Sequence, residues 1–134
     1  MIQAINVAGS AGNGALADIG AQVDLSGKAT RISITVHNTH ASAALTGFAI
    51  LVKNLGSSDW VTRWTGADFD DMANFVDGDV VGTGSGGTGR AVYSLIADEY
   101  CELVLDIGPV RYIKFQAQSG SAGTTLTIMG MAHE

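Results

Sequence analysis

Apolar side chains in this chain recur at every second position, in one segment after another. In Ala29–Asn38 (ATRISITVHN), Ile32, Ile34 and Val36 fall on one side, and Arg31, Ser33, Thr35 and His37 on the other. That period belongs to a strand half-buried in an antiparallel sheet; the apolar stripe of a helix repeats every three to four residues. Leu45–Asn54 repeats it with Phe48, Ile50 and Val52, but Ala49 and Leu51 on its other face are also apolar, which predicts a strand covered on both sides. Glu99–Ile107 sets Cys101, Leu103, Leu105 and Ile107 against Glu102 and Asp106. Arg111–Gln118 points Ile113, Phe115 and Ala117 inward, and Thr124–Met131 points Leu126 and Ile128 inward. Gly89–Ala97 and Asp59–Trp64 read as further strands. Leu16–Leu25 is a weaker one, interrupted at Gly20.

The connections are rich in Gly, Ser, Thr and Asn. Asn54–Ser58 carries turn chemistry, Gly108-Pro109 breaks the chain, and Ser119–Gly123 (SGSAG) reads as the loop of a hairpin between its flanking strands. Only Ala67–Phe75 has helical spacing, with Phe69, Met72 and Ala73 at i, i+3 and i+4, enough for one or two turns. Strands without a strand–helix–strand rhythm predict an all-β fold: an antiparallel β-sandwich, jelly-roll or Ig-like, with at most one short helix near 67–75. Residues 1–15 read as a flexible N-terminal arm and residues 16–134 as a single sandwich domain. Ile2, Ile5 and Val7 are the arm's candidate partner-binding residues.

Composition narrows the function. Of 134 residues, 15% are charged, against about 25% in an ordinary soluble domain, while 18 are glycine and one is proline. A surface of Gly, Ala, Ser and Thr is cheap to cover, because little charge is desolvated and few long side chains lose rotamer freedom. This predicts an assembly component. The net charge of −6, with Lys28, Lys53 and Lys114 far apart in sequence, argues against nucleic acid, which selects clustered cations. Cys101 is the sole cysteine and falls in an apolar run, so a buried, inert thiol is expected and an internal disulfide is excluded. MIQAINVAGS does not read as a signal peptide, and no apolar run approaches the length of a membrane-spanning helix.

No catalytic constellation stands out. Asp68, Asp70, Asp71, Asp77 and Asp79 make an acidic loop without Lys or Arg. Asp77 and Asp79 are the candidates for a structural Ca²⁺, but the spacing of an EF-hand is missing, and a solvated loop is the simpler account. His37 and His40 are two of the three or four ligands that zinc needs, and His133 lies far along the chain. GTGSGGTG lacks the lysine of a phosphate loop, and no serine sits in a nucleophile elbow. Trp60 and Trp64 are four apart, which on a regular strand puts them on one face. There they could anchor a subunit interface or stack on sugar rings.

The ending RYIKFQAQSGSAGTTLTIMG, with the small-residue N-terminal segment and Gly/Ser/Thr-rich connections, is similar in style to small β-sandwich proteins of tailed-bacteriophage virions: capsid decoration (cement) proteins and tail or fibre modules. The resemblance transfers no functional residue. It implies a non-enzymatic virion protein, made in the host cytoplasm, that sits on the outer capsid surface as a homo-oligomer, a trimer being the expected form, and stabilises the major capsid protein lattice. The alternative it leaves open is a carbohydrate-binding module of a tail or fibre protein, using Trp60 and Trp64. No cofactor is implied beyond the candidate calcium.

Overall fold

The computed structural model describes residues 3–54, 59–69, 78–83, 92–108 and 110–134, and for 78–83 the backbone alone. The expected turn at 55–58, most of the acidic loop and Gly89–Arg90 lie outside these residues.

Two sheets form. In the first, the order is β1 (Gln3–Ser10), β11 (Thr125–His133), β5 (Arg31–Asn38), β9 (Tyr100–Asp106) and β8 (Gly78–Thr83), every neighbour antiparallel. The second runs β7 (Val61–Thr65), β6 (Leu45–Lys53), β10 (Tyr112–Ser119). Along the free edge of β10 lie three two-residue strands: β2 (Gly12–Asn13), β3 (Ala17–Asp18) and β4 (Val23–Asp24). With β2–β4 taken as one broken strand and β8 set aside, the sheets read first–eighth–third–sixth and second–seventh–fourth–fifth. That is the jelly-roll order, in which successive strands mostly alternate between sheets.

The alternating residues meet in the middle. Ile32, Ile34 and Val36 of β5, Leu103 and Leu105 of β9, and Leu126 and Ile128 of β11 face Phe48 and Ile50 of β6 and Ile113 and Phe115 of β10, all in one buried cluster. Phe48 stacks on Phe115 with ring centres 6.4 Å apart and takes Phe69 edge-on at 5.9 Å. Each such branched or aromatic side chain stabilises by roughly 1.5–3 kcal/mol on burial. Ala49 and Leu51, on the outer face of β6, are buried as well, as their apolar character predicts.

Several expectations change. The N-terminal arm is, over Gln3–Ser10, an edge strand of the chain's own sheet, paired with β11 from Gln3–Ala132 to Ser10–Thr125. Ile5 and Val7 alternate with Ala4, Asn6 and Ala8, so docking buries both branched side chains in the core. In this fold both side chains pack into the chain's own core instead of projecting from a free arm; Ile2 lies outside the described residues. From Ala11, whose N–H donates to the Thr124 carbonyl at 2.8 Å, the chain passes to the other sheet. Gly20, at φ +66°, comes so near β1 that a Cβ there would stand 2.9 Å from Val7 Cβ, which is why this edge breaks at a glycine.

The hairpin expected around SGSAG does not form. β10 and β11 belong to opposite sheets, and the turn carries the chain across the core, closed by a 2.8 Å hydroxyl contact between Ser119 and Thr124. Inward alternation is the same whether two strands pair in one sheet or face each other across a core. The strand expected at Gly89–Ala97 is, in its described part, a single 3₁₀ turn at Val92–Ser94. The helix expected near 67–75 is represented by a 3₁₀ turn at Gly66–Phe69; residues 70–75 lie outside the described set.

Candidate functional site

The two tryptophans do not share a face. Between β6 and β7 the register shifts: Leu51 stands opposite Thr62 but Ile50 opposite Trp64, so Arg63 is an extra residue. Such a bulge reverses the alternation. Trp64 therefore turns into the core, 3% exposed, with the Arg63 guanidinium 4.6 Å from its ring centre. Trp60 stays outside, half-buried, with the Lys53 and Lys114 ammonium groups 4.8 and 4.7 Å from its ring centre. Lys53 also lies 5.2 Å from the ring of Tyr112. Trp60 acts here as a strut that gathers two cations.

Beside it, two carboxylates fasten the broken edge strand to β10. Asp18 accepts from Gln116 Nε2 at 2.8 Å and pairs with Lys114 at 3.3 Å. Asp24 accepts from Arg111 Nη2 at 2.9 Å and from the Ser26 N–H at 2.8 Å. Arg111 Nε lies 2.8 Å from the other Asp24 oxygen, with its N–H poorly aimed at it. The Gln116 hydrogen bond, assisted by Lys114, holds Asp18 below the usual carboxylate range; the Arg111 hydrogen bond, then that of Ser26, does so for Asp24.

The histidines are committed to separate local structures. His37 Nε2 lies 2.9 Å from Asp98 Oδ1 on the outer face of the first sheet. His40 Nδ1 accepts the backbone N–H of Ser42 at 3.1 Å and of Ala43 at 2.9 Å, which places its ring proton on Nε2. His133 ends β11. Among the described residues no three or more His, Cys, Asp or Glu side chains stand together as metal ligands. Asp77 lies outside those residues, and Asp79 is described only by its backbone, opposite Val104. Cys101 is fully buried; desolvation, with Glu102 adding to it, pushes its thiol up to about 12, so it carries no thiolate near neutrality.

A surface that the sequence reading passed over is the outer face of the first sheet. Register places Met131 beside Ala4 and Ser33, and Met129 beside Asn6 and Thr35. Met129 and Met131 are 54% and 41% exposed, which is unusual for methionine on a sheet with only small, uncharged neighbours. Between β11, β5 and β9 the face sinks into a depression of about 180 Å³ lined by Ser33, Thr35, Glu102, Val104, Met129 and Gly130, among others. Gly130 contributes backbone alone to that lining, and a Cβ at this position would overlap the Ser33 carbonyl oxygen of the neighbouring strand. The alternation of TTLTIMGM held the signal: Met129 and Met131 fall on the opposite side from Leu126 and Ile128.

Comparison of the chain with protein-family models, with curated proteins and with solved structures gives no match. Among the described residues, no helix is long and apolar enough to cross a membrane.

Proposed function

We propose that this protein is a virion structural protein of the capsid-decoration type, which docks on the major capsid protein through the outer face of its β1–β11–β5 sheet. The observation that carries the reading is the pair of exposed methionines, Met129 and Met131, whose cross-strand neighbours Ala4, Asn6, Ser33 and Thr35 are all small and uncharged. Such a face loses little by being covered, and methionine adapts to an opposing surface. The jelly roll lends general support, since viral capsid and lectin domains both use it; this is an argument by fold alone. The same reading has the protein as a homo-oligomer, a trimer, with avidity over many copies compensating for a modest single contact.

The carbohydrate-binding alternative draws less from the geometry. Sugar stacking across two tryptophans needs both rings on one open face, and Trp64 is in the core while Trp60 already holds two ammonium groups.

The test is co-sedimentation with undecorated capsids, together with capsid melting. Binding and a raised capsid melting temperature are expected for the wild type and are lost in Met131→Glu. Light scattering reports the oligomer. Absence of both binding and stabilisation overturns the reading.

A further inference from the structure

The outer face of β5 and β9 and the turn before β9 carry three described carboxylates. Asp106 pairs with Arg31 at 2.8 Å, and Asp98 meets His37 at 2.9 Å. Glu102, on the strand between them and opposite Thr35, has no cationic partner among the described residues. It stands at the rim of the depression. The floor is the backbone of Ile34, Leu103 and Gly130, and the walls are Met129 and Val104, with Ser33 and Thr35 between. At about 180 Å³ the space is smaller than the roughly 300–1,000 Å³ of a small-molecule pocket, and fits a single side chain. Met129 on β11 and Val104 on β9 supply its apolar walls from opposite sides of β5, and the Glu102 carboxylate with the Ser33 and Thr35 hydroxyls supplies oxygen.

We propose that this depression receives a lysine side chain from the surface of a partner protein. The methylene stem lies between Met129 and Val104, as lysine stems do along apolar surfaces. The ammonium group has three N–H donors, and Glu102, Ser33 and Thr35 supply three acceptors. A guanidinium fork is matched instead by a carboxylate facing it end-on with its own plane free. The pocket also explains the pattern of charge on this face: its one unpaired described carboxylate stands where the partner's cation arrives. The proposal rests on the docking reading for the identity of the partner, and on the depression alone for its chemistry.

The experiment has two arms. The first uses protein labelled with ¹³C at the methionine methyls and titrated with octalysine at low salt, with octaglutamate as control. The Met129 methyl resonance is expected to shift saturably with octalysine, to relax back as salt is added, and to stay put in Glu102→Gln; Thr35→Val, which keeps the shape of the wall, weakens the response. An unmoved Met129 in the wild type, or an equal shift in Glu102→Gln, overturns the proposal. In the second arm, Glu102→Gln is compared with wild type for capsid co-sedimentation, where a loss of about tenfold or more in affinity is expected for removing a charged hydrogen-bond partner. Glu102-dependent shifts without capsid binding by the wild type would leave the pocket chemistry standing and remove the capsid reading. Capsid binding by both proteins, with Met129 unmoved by octalysine, would do the reverse.

Discussion

Gly130 lies so close to the Ser33 carbonyl oxygen that even a methyl group on Gly130 would overlap it. Backbone of one strand, not a pliable side chain, occupies the space. Gly130→Ala must therefore push β11 away from β5. The expected cost is about 1–3 kcal/mol, the range for overfilling a tightly packed site, read as a lower midpoint in chemical denaturation. An unchanged midpoint would mean that the two strands have room between them.

Asn38 is fully buried at the end of β5 and joins three segments. Its Nδ2 donates to the Ala43 carbonyl at 2.8 Å and the Leu95 carbonyl at 3.1 Å, and its Oδ1 accepts from the His40 N–H at 3.0 Å. Asn38→Ala leaves these groups without their partner, a loss of roughly 2–4 kcal/mol. Asn38→Asp keeps the shape but sets an oxygen against two carbonyl oxygens, and is expected to be the worse of the two. Thermal melting of both variants checks the ranking; an aspartate variant as stable as wild type would contradict the bonding described.

The bulge at Arg63 makes two nearby tryptophans unequal. Trp64→Ala empties a core site and should cost roughly 3–5 kcal/mol, whereas Trp60→Ala removes a half-exposed ring and two cation–π contacts of about 0.5–1 kcal/mol each. Fluorescence gives a second reading. Acrylamide should quench Trp60 readily and Trp64 hardly at all, so Trp60→Phe leaves a blue, protected emission. Equal quenching of the two would reject the reversed alternation.

Asp18 and Asp24 predict the response to acid. Both carboxyls titrate below their ordinary value when folded, so the stability they add is complete above that value, about 3.9, and is lost as pH falls through the lower folded values. The melting temperature should therefore drop below about pH 4. In the Asp18→Asn, Asp24→Asn double variant part of that drop should be missing. The contribution is small because both groups face water. A double variant with the same acid slope as wild type would locate acid sensitivity elsewhere.

The individual strands of this fold are legible in the sequence, and their partners are not. Ile32, Ile34 and Val36 announce β5 within a residue or two of its ends, and Phe48, Ala49, Ile50 and Leu51 announce a strand covered on both faces. But Ile113–Ala117 and Leu126–Ile128 alternate identically whether they pair edge to edge or face each other across a core, so the turn at Ser119–Gly123 was open to misreading. The tryptophans fail for another reason. Alternation predicts a face only while the register is unbroken, and one extra residue at Arg63 inverts it. The depression is built from three strands distant in sequence, so it appears only once β11, β5 and β9 are laid side by side. The small residues Ala4, Asn6 and Ala8 give the N-terminal segment the composition of an arm, whereas Ile5 and Val7, two apart, carry the period of a strand.

The pairing of β1 with β11 imposes an order on synthesis. Roughly 115 residues separate Ser10 from Thr125, its partner in the ladder. At about 5–20 residues per second, translation needs on the order of ten seconds to cover that distance. Throughout that interval Gln3–Ser10 hangs from the nascent chain without a charge to keep it solvated and without the strand it belongs beside. The sheet closes only when β11 emerges, so a ribosome that stalls upstream of Thr125 displays Ile5 and Val7 to whatever edge is nearest.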